Sequence, residues 1–132
     1  MIRIFKTHDY KDKLLKVNYV DNTNRFAGFD VLQQCCEHAE HWIENSDGVR
    51  IEPDYWGVFD NLVFTDDEPV ESGDDYHYDQ RVTFNLIDTK TNTEYKLVFE
   101  NCHNGWYSHN YEYGQIVSTE SFIWALPKQF VL

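Results

Sequence analysis

The chain has 132 residues, the usual size of one folded domain, and 42% of them are hydrophobic, which excludes a disordered composition. Its formal net charge of -12 comes from 23 carboxylates against 11 lysines and arginines, which argues against direct binding to nucleic acid or to anionic membranes. The charge favours a basic partner, or solubility alone. With no internal repeat, low-complexity tract or linker, the sequence predicts a single domain over residues 1–132.

The first predicted elements are two strands joined by a turn. Lys13–Val20 and Arg25–Phe29 are rich in residues that favour strands. They flank Asp21–Asn24, four residues of types that favour turns. The pattern predicts a β-hairpin.

An amphipathic helix is predicted next, over Val31–Glu44. Its apolar residues fall within about 140° of arc when placed on a helix, and the opposite face is polar. These apolar residues are Val31, Leu32, Cys35, Cys36, Ala39, Trp42 and Ile43. Asp30 is placed to cap the first turn, and Asn45–Gly48 supplies a stop signal.

A second hairpin is predicted in the C-terminal half. Apolar residues alternate in Arg81–Asp88 and again in Glu94–Asn101, as expected for a sheet with one buried face. Asn104–Gly105 is a strong two-residue turn signal. We expect it to return Trp106–Tyr113 against the preceding strand.

The remaining predicted strands are Trp56–Phe64 and Ile116–Leu126, and Pro127 is expected to end the second of them. The elements together predict an α+β fold. It consists of a mostly antiparallel β-sheet with one amphipathic helix packed on one face.

Negative charge is concentrated between Glu52 and Asp79, where ten carboxylates occur without a lysine or arginine. The densest part, which we predict to bind a partner, is Asp66, Asp67, Glu68, Glu71, Asp74 and Asp75. One interpretation is a solvated loop, the usual state of a charge run. A surface for a basic protein is the second, because complementary fields steer association. The third is a site for a hard cation, although the ligand order of an EF-hand is absent.

The segment around the Asn104–Gly105 turn is a second candidate site. The candidate ligand-binding residues are His103, Asn104, Trp106, Tyr107, His109 and Tyr111. On a strand, alternate residues from Tyr107 to Tyr113 share one face. Rings beside short polar groups suit contact with a small molecule or a partner. The alternative is an aromatic face packed under a loop, with its hydroxyls bonded to the backbone.

Thiols and imidazoles are weak candidates for a metal site. They are Cys35, His38, His41 and Cys102. A Cys-x-x-Cys pair, the usual zinc signature, is absent from the sequence. Cys102 and His103 are not a nucleophilic dyad, because neighbours on a strand face opposite ways. We therefore predict no cofactor and favour a non-enzymatic protein; a small hydrolase using His103 or His109 is an alternative.

Two short motifs carry a family resemblance. Gln34–Trp42 contains a Cys-Cys pair followed by polar residues and a tryptophan, and Leu97–Tyr107 is an apolar strand that leads into Asn-Gly-Trp-Tyr. Between Leu14 and Tyr113 the chain resembles a family of small uncharacterised bacterial and phage proteins that carry both motifs. That family often has Asp at the position of Gln34 and Tyr at the position of Trp106. The resemblance implies a small soluble protein of phage, mobile-element or bacterial origin, and it implies no activity.

The expected function follows from charge and resemblance together. The three cysteines lack the spacing of a disulfide framework, and no apolar run is long enough for a signal peptide or a membrane span. We therefore expect a cytoplasmic protein, in the host cytoplasm if it is phage-encoded. The leading hypothesis is an acidic interaction protein that inhibits a host protein by covering its basic, nucleic-acid-binding surface. The alternatives are a nucleotide- or metabolite-binding module at the loop after Asn104, and a zinc protein or small hydrolase.

Overall fold

The computed structural model describes residues 1–32, 38–74, 79–102, 109–118 and 123–131. Within these ranges, all of the regular secondary structure is β-strand. The strands are β1 (Ile2–His8), β2 (Leu14–Asp21), β3 (Arg25–Asp30), β4 (His38–Asn45), β5 (Arg50–Ile51), β6 (Val58–Phe59), β7 (Leu62–Phe64), β8 (Val70–Asp74), β9 (Asp79–Asp88), β10 (Glu94–Cys102), β11 (Asn110–Ser118) and β12 (Ile123–Val131). The fold is all-β, so the predicted α+β class is wrong.

The strands form two six-stranded sheets, and every pairing is antiparallel. The first sheet has the order β12-β11-β3-β2-β1-β6. The second has the order β5-β4-β10-β9-β7, and β8 also pairs with β9. Phe29 of the first sheet stacks on Phe99 of the second, with ring centroids 4.8 Å apart. One cluster of buried residues draws on both sheets, so the core lies between them.

A strand, not a helix, occupies the described C-terminal part of the predicted helix Val31–Glu44. Residues 38–45 form β4, which pairs with β10 on one side and β5 on the other. Ala39 and Ile43 belong to the core cluster, whereas Trp42 lies under the guanidinium of Arg50, whose carbon is 3.8 Å from the ring centroid. The helical pattern was misleading because it assigned every apolar residue to a single face. Residues 33–37, which include the cysteine pair, lie outside the described residues.

The helix-end signals have other roles in this fold. Asp30 ends β3, and its Oδ1 accepts a hydrogen bond from the Leu32 N–H at 3.0 Å. Asn45–Gly48 forms the turn between β4 and β5, closed by the Asn45 N–H donating to the Val49 carbonyl oxygen at 2.9 Å. Residues that cap helices also make tight turns, because both roles need a side-chain oxygen close to free backbone N–H groups.

Both predicted hairpins are confirmed. β2 pairs with β3, and β9 pairs with β10, in each case antiparallel and across the predicted connection. Three other strand predictions need correction. Trp56–Phe64 is divided between β6 and β7, which belong to different sheets, and β11 pairs with β3 and β12 rather than with β10. Pro127 lies within β12 instead of ending it. β12 is an outer strand, and its pairing with β11 changes register near this residue. Such a position tolerates proline, which has no N–H to donate.

Four of the described connections use one kind of turn. Oδ1 of Asp9, Asp21, Asn45 or Asp54 accepts hydrogen bonds of 2.8–3.0 Å from the N–H groups two and four residues later. The third residue after each has a positive φ; these residues are Asp12, Asn24, Gly48 and Gly57. Asp, Asn and Gly adopt this conformation at low cost, so local sequence sets these turns.

Asp21 also connects the two sheets. Its carboxylate is buried, and Oδ1 accepts a further hydrogen bond from the Thr23 hydroxyl at 2.7 Å. Oδ2 accepts the backbone N–H of Phe64 at 3.0 Å. Because Phe64 belongs to β7 of the second sheet, this single carboxylate joins a turn of the first sheet to the second.

Asp21→Ala should lower the free energy of unfolding by about 3 kcal/mol, because it removes the buried acceptor of four hydrogen bonds, among them the one from the Phe64 N–H. Asp9→Ala is the matched control, since Asp9 makes the same turn without the inter-sheet bond. We expect the control to lose about 1 kcal/mol in urea unfolding. Equal losses for the two variants would show that the inter-sheet bond contributes nothing.

Candidate functional site

Four exposed carboxylates lie at one side of the second sheet. They are Asp66, Asp67, Glu68 and Glu71, which we name the acidic edge. They occupy the link between β7 and β8 and the start of β8, two short strands that pair one after the other with the same side of β9. The side chain of Asp66 is 89% exposed. Of the other predicted partner-binding residues, Asp74 ends β8 and Asp75 lies outside the described residues.

Side chains from both sheets hold the acidic edge in place. The contacts are an ion pair of Arg25 with Asp66, and hydrogen bonds from Asn85 to Asp67, from the Tyr113 hydroxyl to Glu68 and from the Tyr111 hydroxyl to Glu71. Among the described residues, Arg25 is the one cation paired with this edge. The carboxylates are therefore positioned by the fold, and among the side chains that the structure describes one cation pairs with them.

The two tyrosines act as donors in these contacts. Burial, followed by the hydrogen bond to Glu68, raises the pKa of Tyr113 to about 12. Burial and then Glu71 raise the pKa of Tyr111 as well. Both hydroxyls therefore stay protonated at neutral pH, and the carboxylates accept from them. The acidic segment and the ring-rich strand, two separate candidates in the sequence, are one bonded unit in the structure.

The predicted ligand-binding residues divide into two groups. His103, Asn104, Trp106 and Tyr107 lie outside the described residues. His109 and Tyr111 are buried: Nδ1 of His109 is 2.7 Å from the Asp30 carbonyl oxygen, and the Tyr111 ring centroid is 6.2 Å from that of Phe84. These two residues fit the packed aromatic face, with the Tyr111 hydroxyl bonded to a carboxylate instead of the backbone.

The structure does not gather the weak metal candidates. Cys35 lies outside the described residues. His38 and Cys102 are exposed and stand opposite each other on β4 and β10, whereas His41 projects from the other face of β4. Across the described ranges, no three His, Cys, Asp or Glu side chains are arranged to hold a metal ion.

A second candidate site lies at the far side of the second sheet from the acidic edge, where β4 and β5 face β1 and β2. His41 lines two cavities there, of about 430 Å³ and 190 Å³. The larger is lined by Lys13, Leu14, Val31, Ala39, Glu40, His41 and Arg50. Sequence reasoning gave His41 to the polar face of a helix; its alternation with Ala39 and Ile43 was the signal for an inward position on a strand.

Burial fixes the protonation of His41. Its Nδ1 is 2.6 Å from the Tyr19 hydroxyl, which stays protonated because burial raises the Tyr19 pKa. Burial, assisted by the charge of Lys6 and opposed by Glu40, lowers the pKa of His41 to about 4. At neutral pH the imidazole is therefore uncharged and carries one ring proton; with the Tyr19 hydroxyl donating its hydrogen bond to Nδ1, that proton lies on Nε2.

Comparison with known proteins gives no match: no protein-family model, no curated protein and no solved structure matches the chain. Within the described residues, no helix has the length and apolar character needed to cross a membrane. A functional assignment therefore rests on the two sites described above.

The low pKa of His41 predicts a pH-dependent stability. An unfolded histidine has a pKa near 6.5, so between that value and about 4 the unfolded chain binds a proton that the folded chain does not. Stability from this group is complete above pH 6.5 and is lost as the pH falls. Relative to a His41→Gln variant, the wild type should lose at most about 1.4 kcal/mol per pH unit between about pH 6.5 and 5.

The variant retains the charged groups around the imidazole, which are Lys6, Lys13, Arg50, Glu40 and Glu52. His38→Gln, on the exposed face of the same strand, is the control and should retain the loss of stability at low pH that is due to His41. Urea unfolding from about pH 7.5 to 5 provides the measurement. Parallel stability curves for His41→Gln and wild type would contradict the assignment of a neutral, half-buried imidazole.

Proposed function

We propose that this protein is a non-enzymatic interaction protein that binds a basic segment of another protein at the acidic edge. The observation that carries the proposal is that these carboxylates are held at a sheet margin with one internal cation partner, Arg25, among the described residues. Fixed charges bind a counterpart at a smaller entropic cost than charges on a mobile loop.

The backbone at this position also suits an extended partner. Within the described part of the chain, β8 pairs with β9 alone, and no described strand pairs with the other side of β8. Val70, in β8, is 62% exposed and provides apolar contact beside Glu71. An extended segment can add to such a side by main-chain hydrogen bonds, while its lysines or arginines meet the carboxylates.

The partner class follows from charge. A protein surface that binds nucleic acid presents lysines and arginines spaced to meet phosphates. A row of carboxylates is negatively charged, as those phosphates are, and can pair with the same lysines and arginines. The net charge of -12 adds long-range attraction toward such a surface. The narrower form of the proposal, based on the family resemblance, is a cytoplasmic inhibitor from a phage or mobile element that covers this surface on a host protein.

A double variant, Glu68→Gln with Glu71→Gln, tests the proposal. Glutamine keeps an acceptor for the Tyr113 and Tyr111 hydroxyls, so the fold should be retained while two charges are removed. The probe is a synthetic peptide of alternating lysine and threonine, titrated by calorimetry. We expect the dissociation constant to rise by about fivefold, because the removed charges lie at the contact.

Asp12→Asn with Asp47→Asn is the matched control. It changes the net charge by the same amount at exposed turns away from the acidic edge, and should alter the dissociation constant by less than about twofold. Equal effects of the two double variants would show that net charge alone accounts for the binding, and would overturn the proposed site. So would an affinity that stays constant between about 50 and 500 mM salt, since exposed charges are screened over that range.

A further inference from the structure

The cavities at His41 gather cations in a chain that is otherwise strongly acidic. Lys13 and Arg50 line the larger cavity, and Lys6 and Arg50 line the smaller one. Glu40 and Glu52 are the carboxylates present, and Glu40 lies 3.6 Å from Arg50. Neither Lys6 nor Lys13 forms an ion pair with another described residue. As far as the described side chains go, both ammonium groups are therefore able to pair with an anion from outside the chain.

The histidine adds a directed donor to these charges. Its Nδ1 is occupied by the Tyr19 hydroxyl, and the hydrogen bond to Tyr19 is the one that the imidazole makes within the described residues. The remaining ring nitrogen, Nε2, carries the proton, and the His41 side chain lines both cavities. A neutral N–H donor beside ammonium groups can hold a phosphate or carboxylate oxygen without the cost of protonating the imidazole.

The rest of the wall of the larger cavity is apolar. Val31 and Ala39 are buried members of the core cluster, and Leu14 packs against it. A cavity of about 430 Å³ is within the size range of small-molecule sites, which combine an apolar lining with a few polar groups. This composition suits a ligand with an anionic head and an apolar body, and it differs from the open, negatively charged acidic edge.

We propose that the larger cavity binds a small organic anion, whose phosphate or carboxylate group is held by Lys13 and His41 and whose apolar body lies against Leu14, Val31 and Ala39. Arg50, held by Glu40 and stacked on Trp42, forms the outer wall of this site. The site is independent of the acidic edge, and its ligand has the opposite charge to the proposed protein partner.

Three ring compounds test the proposal by calorimetric titration of the full chain. Phenyl phosphate and benzoate carry the two anionic heads, and benzyl alcohol is their uncharged counterpart. We expect at least one anion to bind about tenfold more tightly than the alcohol, and the stronger of the two identifies the head group. Lys13→Gln and His41→Ala should each weaken that anion by about fivefold.

Each variant has a matched control on the same element. Lys11→Gln removes an exposed lysine two positions from Lys13, and His38→Ala removes an exposed histidine from the opposite face of β4; both should bind as wild type. If His41→Ala does not fold, the exposed Lys13→Gln carries the comparison. The proposal is overturned if neither anion binds at up to about 10 mM, if benzyl alcohol binds equally well, or if Lys13→Gln and Lys11→Gln behave alike.

Discussion

The antiparallel pairing of β4 with β10 decides what the second sheet buries. Successive side chains of a strand point to opposite faces, so the register that places Ile43 in the core also turns His41 inward and Trp42 outward. A slip of one residue would exchange these faces completely. Phe99, the partner of His41 on β10, stacks on Phe29 of the first sheet and so packs the two sheets together at this position. This pairing therefore fixes His41 in the position where it lines both cavities.

Local signals in the sequence predicted the two hairpins correctly but not the structure of the segment 31–44. The turn at Asp21 is set within five residues, because one carboxylate accepts from the N–H groups that follow it. The segment 31–44 has no such local determinant: its apolar spacing suits a helix, and Asp30 and Asn45 suit both a cap and a turn. Its strand partner β10 lies some fifty residues later in sequence. Pairing over that distance overrode the helical pattern.

The two sites differ in how far the sequence reveals them. Composition alone identified the acidic residues, but not their contacts, since Tyr111 is 40 residues from Glu71 and Tyr113 is 45 residues from Glu68. The cavity at His41 was missed because Lys13 and Arg50 are ordinary residues in the sequence. The fold brings Lys13, which directly precedes β2, and Arg50, in β5, to the same cavity as the inward-facing imidazole.

Among the described strands, β8 has a neighbour on one side only. A free strand margin is a template on which a second copy can extend the sheet, and such growth leads to aggregation. Two copies that approach through this margin bring Glu68 and Glu71 against their own duplicates. The repulsion between these like charges opposes growth of the sheet through β8, whereas a segment of opposite charge is attracted to the same place.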